Sequence, residues 1–146
     1  SLTLCHENEA NIYGESPDDV LTLLKAFDGR LKVVFDMGNF VLDGHEPYPY
    51  AYNLLKDYIE YFHIKDALYS GAVVPPGMGE AKIREILSDY ARLGKPTFVT
   101  LEPHLMDFAG LNSIATKAFE NPVVFGSAEE AFLVAVDKIK GILAEV

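Results

Sequence analysis

The sequence has 146 residues, of which 49% are hydrophobic and 23% are charged, and these values are typical of one ordinary soluble domain. A chain of this length buries about 70% of the surface that it exposes when unfolded, so its core requires neither disulfides nor a structural metal. Twelve Lys and Arg stand against 22 Asp and Glu, and the net charge of −10 opposes binding to nucleic-acid phosphates. We therefore expect a single domain over residues 1–146 with no nucleic-acid partner.

Cysteine content and hydropathy indicate the compartment. Cys5 is the single cysteine and cannot form an internal disulfide, and the sequence contains neither a signal-peptide hydrophobic segment nor an apolar run of about 18 residues. We therefore expect a cytoplasmic protein without a membrane partner. The chain begins at Ser1 and enters an apolar run at once, so we also expect a fragment of a longer protein.

The first half of the chain alternates between strand and helix patterns. An apolar run at residues 2–5 predicts a strand, and a helix follows, with Ser16 as N-cap, Pro17 at its first position and Gly29 after its end. Residues 31–36 predict a second strand, and a second helix is predicted to begin near Pro49. The apolar residues at helical spacing are Val20, Leu21, Leu24 and Phe27 in the first helix and Leu54, Leu55, Tyr58 and Ile59 in the second.

The second half repeats the alternation. Residues 61–64 predict a third strand, followed by a Gly/Pro loop and a helix that ends at Gly94, and residues 96–101 predict a fourth strand. After a long loop over residues 103–126, Ser127 and Glu130 form a capping box that opens the last helix. The apolar residues of these two helices are Ile83, Ile86, Leu87 and Tyr90, and then Phe132, Val136, Ile139 and Leu143.

Four successive β-then-α units predict an α/β fold. Nearly continuous apolar strands indicate parallel strands joined by right-handed crossovers and covered by helices. This pattern fits either an open doubly wound sheet or half of an eight-stranded barrel. No G-x-G-x-x-G or Walker-type loop follows any predicted strand, which argues against a nucleotide-binding protein.

Each predicted strand ends at a potential metal ligand, and these are Glu7, Asp36, His63 and Glu102. Active sites of such folds lie at the C-terminal ends of the strands. Three carboxylates and one imidazole suit Mn²⁺, Mg²⁺ or Co²⁺, and Zn²⁺ is also compatible. A single acid after a strand is more often a helix N-cap or a solvated loop residue. Because the predicted helices start several residues further on, we expect that capping does not explain these four residues.

Five motifs resemble, in order, those of the xylose isomerase-like superfamily of sugar isomerases and epimerases, typified by tagatose 3-epimerase. They are His6-Glu7-Asn8-Glu9, Phe35-Asp36-Met37-Gly38-Asn39-Phe40, His63-Ile64-Lys65-Asp66, Pro76-Gly77-Met78-Gly79-Glu80 and Leu101-Glu102-Pro103. The resemblance runs through the whole chain. It implies a (β/α)8 TIM barrel, of which this chain is the C-terminal four β/α units, a half barrel.

The resemblance also implies roles for the four ligands. In the epimerases that this sequence resembles, one divalent metal ion is bound by four such side chains. Glu7 and Glu102 would then be both ligands and the catalytic acid/base pair, with Asp36 and His63 as ligands only. Proton transfer next to a carbonyl needs a base, an acid and a cation that stabilises the enediolate. We therefore expect an enzyme that isomerises or epimerises a small sugar, sugar phosphate or cyclitol.

Three further residues are weaker candidates. Asn39 stands where the epimerases often place a substrate-contacting histidine, so it is expected to contact the substrate. Lys65 is a candidate for binding a substrate oxygen or phosphate, and a solvated or ion-paired surface lysine is an equally good interpretation. Asp66 is a candidate for orienting Lys65 or His63. The remaining polar residues near the predicted mouth, expected outside the barrel or in loop contacts, are His6, Glu9 and His104.

Three alternatives were weighed. Endonuclease IV shares the barrel but needs three zinc ions and more histidines, including one where Asn39 stands and an Asp-x-His pair where this sequence has Gly71-Ala72-Val73. With the net charge of −10, this disfavours a DNA repair enzyme. A dehydratase or lyase of the inosose or dehydroshikimate type stays open, because it begins with the same proton abstraction.

The third alternative is a non-catalytic, metal-binding barrel fragment. Exposed strand edges should drive a half barrel to pair with its missing N-terminal half or with another copy of itself as a homo-oligomer. The predicted activity therefore belongs to the complete barrel, and the isolated chain is expected to be inactive or weakly active.

Overall fold

The structure, a computed structural model, describes residues 2–106 and 122–146, so residues 107–121 of the predicted long loop lie outside the described residues. The elements in chain order are β1 Leu4–Glu7, α1 Pro17–Ala26, β2 Leu31–Asp36, α2 Met37–Leu42, a π-helical segment Pro47–Ala51, α3 Tyr52–Leu55, β3 Ile59–Ile64, β4 Asp66–Ala67, β5 Val73–Val74, α4 Ile83–Arg92, β6 Val99–Leu101 and α5 Ala128–Leu143.

Four strands form a parallel sheet in the order β1-β2-β3-β6, as the alternating pattern predicted. The register places Asp36 beside His63, so the C-terminal ends of the two central strands lie next to each other. Strands β1 and β6 form the two edges of the sheet. The first strand begins later than predicted, and the fourth is confined to Val99–Leu101. A separate antiparallel pair, β4 and β5, was not predicted.

Helix α1 follows its sequence signals closely. The Ser16 side chain accepts a hydrogen bond from the backbone N–H of Asp19 at 3.2 Å, and proline occupies the first helical position. The helix buries Val20 and Leu24 against the sheet. The helix ends at Ala26, and after the C-cap Phe27 both Asp28 (φ of +53°) and Gly29 (φ of +77°) adopt the left-handed conformation, which glycine takes without the usual steric penalty.

The second predicted helix is much shorter than expected. The structure has only the π-helical segment and α3 here, and α3 ends at Leu55. Tyr58 follows the helix, and Ile59 begins β3 and pairs with Val33, so their assignment to a helix was wrong. Short apolar runs fit both helical and strand periodicity, and here pairing with β2 decides between them.

Helix α5 begins as predicted but buries a different face. The Ser127 side chain accepts a hydrogen bond from the backbone N–H of Glu130 at 3.1 Å. The buried residues are Ala131, Ala135, Ile139 and Ile142, whereas the predicted face was Phe132, Val136, Ile139 and Leu143. Phe132 and Leu143 are exposed. Apolar residues surround the first turns of this helix, so periodicity did not define one face.

The main hydrophobic core lies between the sheet and helices α1 to α4, with residues of α5 at its margin. Aromatic rings meet edge to face in it, with centroids 5.2 Å apart for Phe35 and Phe40 and 5.0 Å apart for Phe62 and Tyr90. These contacts fix one face of the central strands and therefore the positions of their C-terminal ends. Within the described ranges, no helix is both long and apolar enough to cross a membrane.

Candidate metal centre

The four predicted ligands converge at the C-terminal ends of the strands. Each of Glu7, Asp36, His63 and Glu102 offers one ligand atom, and these atoms all lie within 4.8 Å of one another. The Nδ1 atom of His63 lies 2.8 Å from Glu7 Oε1 and 3.1 Å from Glu102 Oε2. The structure therefore brings together side chains that are far apart in the sequence, as the strand ends predicted.

Asp36 caps a helix, which contradicts the sequence-based expectation that capping does not explain the four predicted ligands. It is the N-cap of α2, an unpredicted helix that begins at the next residue, and its Oδ1 atom accepts a hydrogen bond from the backbone N–H of Asn39 at 2.9 Å. The other oxygen, Oδ2, is buried and accepts no hydrogen bond from any described residue, although it lies 3.3 Å from the Lys65 ammonium. One oxygen of this carboxylate thus caps a helix, and the other faces the Lys65 ammonium.

Asn8 fixes the backbone of Asp36 and was missed by the sequence analysis. Its amide group donates to the carbonyl oxygen of Asp36 at 2.8 Å, and its side-chain oxygen accepts the N–H of Asp36 at 3.0 Å. The backbone carbonyl oxygen of Asn8 accepts a hydrogen bond from the side-chain amide of Asn39 at 2.9 Å. The sequence feature that could have identified Asn8 is its position directly after the predicted ligand Glu7.

Lys65 and Asn39 are buried and contact two of the predicted ligands, Asp36 and Glu102. The ammonium of Lys65, only 2% exposed, donates to Asn39 Oδ1 at 2.9 Å and lies 3.4 Å from Glu102 Oε2. A solvated lysine is therefore the wrong interpretation. Asn39 is also buried, so both residues make their contacts within the protein here, and their expected contacts with substrate stay a prediction. Gly38 permits this arrangement, since a Cβ there would lie 2.7 Å from Lys65 Cβ.

Asp66 orients a loop, which corrects its expected role beside Lys65 or His63. Its two carboxylate oxygens accept hydrogen bonds from four backbone N–H groups, those of Ala67, Gly77, Gly79 and Ala81, at 2.7 to 3.1 Å. Gly79 is required for this approach, since a Cβ there would lie 2.3 Å from Asp66 Oδ1. Burial raises the pKa of Asp66, and these hydrogen bonds oppose the shift.

The ionised groups at the centre favour the binding of an additional positive charge. The hydrogen bonds with Glu102 and Glu7 raise the pKa of His63 to about 10. Burial raises the pKa of Asp36, and the charge of Lys65 offsets this only in part. Burial lowers the pKa of Lys65, but the charges of Asp36 and Glu102 outweigh it and leave the pKa above its usual value.

Three carboxylates, a protonated His63 and Lys65 together carry one negative charge, whereas a divalent cation in place of the His63 proton makes the total zero. A buried carboxylate oxygen without a hydrogen bond and an oxygen-rich donor set therefore fit a divalent cation.

The remaining side of the centre is open. The side chains of Glu7 and Glu102 are 28% and 33% exposed, in contrast to the fully buried Asp36. His6 lies 3.1 Å from the carbonyl oxygen of Gly14, and Glu9 accepts the N–H of the next residue, so both make loop contacts as expected. The expectation fails for one residue, because His104 Nε2 lies 3.1 Å from Glu102 Oε1.

Comparison with known proteins identifies the fold. The family described as Xylose isomerase-like TIM barrel matches residues 1–120. A comparison with curated protein sequences finds no match.

Two xylose isomerase-type structures superpose on nearly the whole chain. One, a xylose isomerase-like TIM barrel protein from Mycobacterium smegmatis in complex with magnesium, has a TM-score of 0.68 at 18% identity and covers 98% of this chain and 43% of that one. The other, a xylose isomerase domain protein from Planctomyces limnophilus, has a TM-score of 0.62 at 16% identity and covers 100% and 46%.

A third structure, the probable 3-DHS dehydratase AsbF involved in petrobactin synthesis from Bacillus anthracis, has a TM-score of 0.58 at 21% identity and covers 69% of this chain and 43% of that one. This chain therefore spans less than half the length of each of the three structures. Their likeness shows that the four-stranded parallel sheet is half of an eight-stranded barrel. Because the family match extends over most of the sequence, the chain belongs to the xylose isomerase-like TIM barrel family.

Proposed function

We propose that Glu7, Asp36, His63 and Glu102 bind one divalent metal ion and that the protein is a metal-dependent isomerase or epimerase of a small sugar, sugar phosphate or cyclitol. The observation that carries this proposal is the convergence of four ligand atoms within 4.8 Å of one another. The charge balance and the donor set favour Mn²⁺, Mg²⁺ or Co²⁺, with Zn²⁺ also compatible. The Mycobacterium smegmatis structure, which contains magnesium, supports the choice of a hard cation.

The two glutamates are the proposed acid/base pair because both are partly exposed and approach the centre from different strands. Glu7 ends β1 and Glu102 follows β6, which are the opposite edges of the sheet, and both side chains are partly exposed. One carboxylate would remove the proton from the carbon beside the substrate carbonyl, and the other would return a proton to the resulting enediolate. When bound, the cation supplies stabilisation of the negative charge that develops on the substrate oxygens. Asp36 and His63 then act as ligands only.

A dehydratase is the second candidate. The Bacillus anthracis structure, described as a probable dehydratase, has this fold, and the first proton abstraction is common to both reactions. In a dehydratase, the second glutamate would protonate a departing hydroxyl group instead of carbon. Product mass separates the two reactions, because dehydration removes one water molecule and isomerisation leaves the mass unchanged.

The complete barrel is the proposed active form, acting on a small molecule and not on nucleic acid or a membrane. Among the described residues, no strand pairs with the outer side of β1 or β6, and Phe98 next to β6 is 56% exposed. The other four β/α units of a barrel would cover these surfaces. A homo-oligomer that pairs two copies of this chain is the alternative, and gel filtration at several concentrations distinguishes the two.

Calorimetric titration with Mn²⁺ tests the metal site in the full-length protein. The test variants are Glu7→Gln and Glu102→Gln, and the matched control is Glu9→Gln, a nearby partly buried glutamate outside the ligand cluster. We expect one site in the wild type and in the control, with affinity lowered by about 100-fold or more in the test variants. Unchanged affinity in both test variants would exclude the proposed ligands.

Proton exchange into substrate from deuterated water tests the chemistry, using a panel of ketoses, their phosphates and inososes. Glu7→Gln should lower the exchange rate by about 10²-fold to 10⁴-fold at saturating Mn²⁺. Mn²⁺ binding without exchange or turnover on the whole panel would instead indicate the non-catalytic, metal-binding module.

A further inference from the structure

The Glu102 carboxylate is held from two directions. Its Oε2 atom lies 3.1 Å from His63 Nδ1 and 3.4 Å from Lys65 Nζ, and its Oε1 atom lies 3.1 Å from His104 Nε2. Burial raises the pKa of Glu102, and the hydrogen bonds with His104 and His63 and the charge of Lys65 outweigh this effect, so the pKa lies well below its usual value. The group facing Oε1 is therefore part of the electrostatic environment of a proposed ligand.

The backbone of His104 adopts an unusual conformation at this contact. Its φ of +44° lies in the left-handed region, which residues other than glycine adopt with steric strain. Strain of this kind persists where the surrounding structure determines it, and it is concentrated at functional sites. Pro103, with its restricted φ, separates His104 from Glu102, so the chain turns at a defined point and returns the imidazole to the preceding carboxylate.

The burial of His104 excludes an ordinary loop histidine. Its side chain is 17% exposed, less than either Glu7 or Glu102. A solvated surface residue would not combine low exposure, a strained backbone and a contact with a ligand carboxylate. These three observations concern different properties of the residue and lead to the same role.

We propose that His104 is a positioning residue that holds Glu102 Oε1, so that Oε2 stays directed towards His63 and Lys65 on the side where the other ligands converge. The inference rests on the proposed function, since it assigns a purpose to the orientation of one proposed ligand. Without the imidazole, the carboxylate can rotate about its terminal bond, and the fixed arrangement of the donor set is lost. A metal site loses affinity when the groups that orient its ligands are removed.

Two substitutions in the full-length protein separate the contact from the backbone conformation. His104→Gly removes the imidazole and relieves the strain, because glycine adopts a positive φ readily. His104→Gln keeps an N–H donor on a side chain of similar reach but retains a strained backbone. We expect Mn²⁺ affinity to fall by about 10-fold to 100-fold in His104→Gly and to recover to within about 3-fold of the wild type in His104→Gln. If only the backbone conformation of His104 mattered, His104→Gly would keep wild-type Mn²⁺ affinity, which would contradict the inference.

The same titrations in a Glu102→Gln background complete a double-mutant cycle. If His104 acts through Glu102, His104→Gly should have no additional effect on Mn²⁺ affinity once the carboxylate is gone. Urea denaturation verifies that each variant is folded, and His104→Asn, which also tolerates a positive φ but has a shorter side chain, replaces His104→Gly if that variant unfolds.

The Mn²⁺ titrations distinguish a failure of the proposed function from a failure of the role of His104. Unchanged Mn²⁺ affinity in Glu102→Gln and in Glu7→Gln would overturn the proposed function itself. Weakened affinity in Glu102→Gln together with wild-type affinity in His104→Gly would overturn only the positioning role of His104. An equal loss of affinity from His104→Gly in both backgrounds would show that His104 acts independently of Glu102, which also contradicts the inference.

Discussion

The two sides of the metal centre differ in how their polar groups are satisfied. The buried side, which we define as Asn8, Asp36, Asn39 and Lys65, is almost fully enclosed, and its side chains form hydrogen bonds with the side chains and the backbone groups of the same set. The open side, defined as Glu7, Glu102 and His104, lies at the edge strands and retains partial exposure. The buried side has little freedom to respond to a ligand, whereas the open side is accessible to one.

This difference separates the residues needed for folding from those expected to affect metal binding or activity. A charge on the buried side has no access to water, so its partner must remain in place for the chain to fold. A charge on the open side is partly screened by solvent, so its removal should cost less stability. Substitutions on the buried side should therefore lower stability, and substitutions on the open side should lower metal binding or activity.

The largest effect is expected from Asp36→Ala. It removes the partner of a buried ammonium and the N-cap of α2, and the loss of one member of a buried pair typically costs about 3–5 kcal/mol. Urea denaturation without added metal measures the free energy of unfolding. Glu7→Ala is the open-side comparison, with a smaller expected loss of about 1 kcal/mol, because it removes the 2.8 Å contact with a partly exposed His63. Equal losses in the two variants would break the distinction between the sides.

A smaller effect is expected from Asn39→Ala, which isolates the hydrogen bonds of the buried side. The substitution leaves the Lys65 ammonium without its 2.9 Å acceptor and the Asn8 carbonyl without its donor, at a cost of about 1–3 kcal/mol. Asn53→Ala is the matched control, because Asn53 accepts from Lys56 at 3.3 Å on the exposed surface. A change within about 0.5 kcal/mol is expected there. If both asparagine variants lose the same stability, burial is not the deciding factor.

The strand ends were the part of the centre that the sequence could predict. An apolar run gives the position of a strand, parallel strands end at a common edge, and residues at that edge must then be neighbours. The convergence of the strand ends can therefore be predicted without knowing any side-chain conformation. Glu7, Asp36, His63 and Glu102 were predicted to lie together because each is within two residues of the end of such a run.

The supporting residues could not be predicted in the same way. The partners of Lys65 come from β2, α2 and the end of β6, so its burial depends on a tertiary arrangement that no local pattern records. Helix α2 has only six residues, too few to show helical periodicity, and its N-cap was therefore interpreted only as a ligand. The contact of His104 depends on a positive φ, which the sequence does not indicate at a residue other than glycine.

The smallest effect is expected from Asp43→Asn, which compares the two ends of α2. Asp36 caps the N-terminus beside Lys65, whereas Asp43 caps the C-terminus, where a negative charge opposes the helix dipole. Burial, followed by the charges of Glu15 and Glu9, raises the pKa of Asp43 to about 6.

Because the pKa of Asp43 is higher in the folded chain than in the unfolded chain, the unfolded chain ionises first as the pH rises. Stability is therefore lost between about pH 4 and pH 6, and the loss persists above pH 6. Asp43→Asn should thus stabilise the protein at pH 8 by about 1 kcal/mol, after allowance for solvent screening, and should have almost no effect at pH 4. Urea denaturation at the two pH values measures this difference. A gain of equal size at both would show that the Asp43 charge is not its source, and that the ends of α2 differ in packing and not in electrostatics.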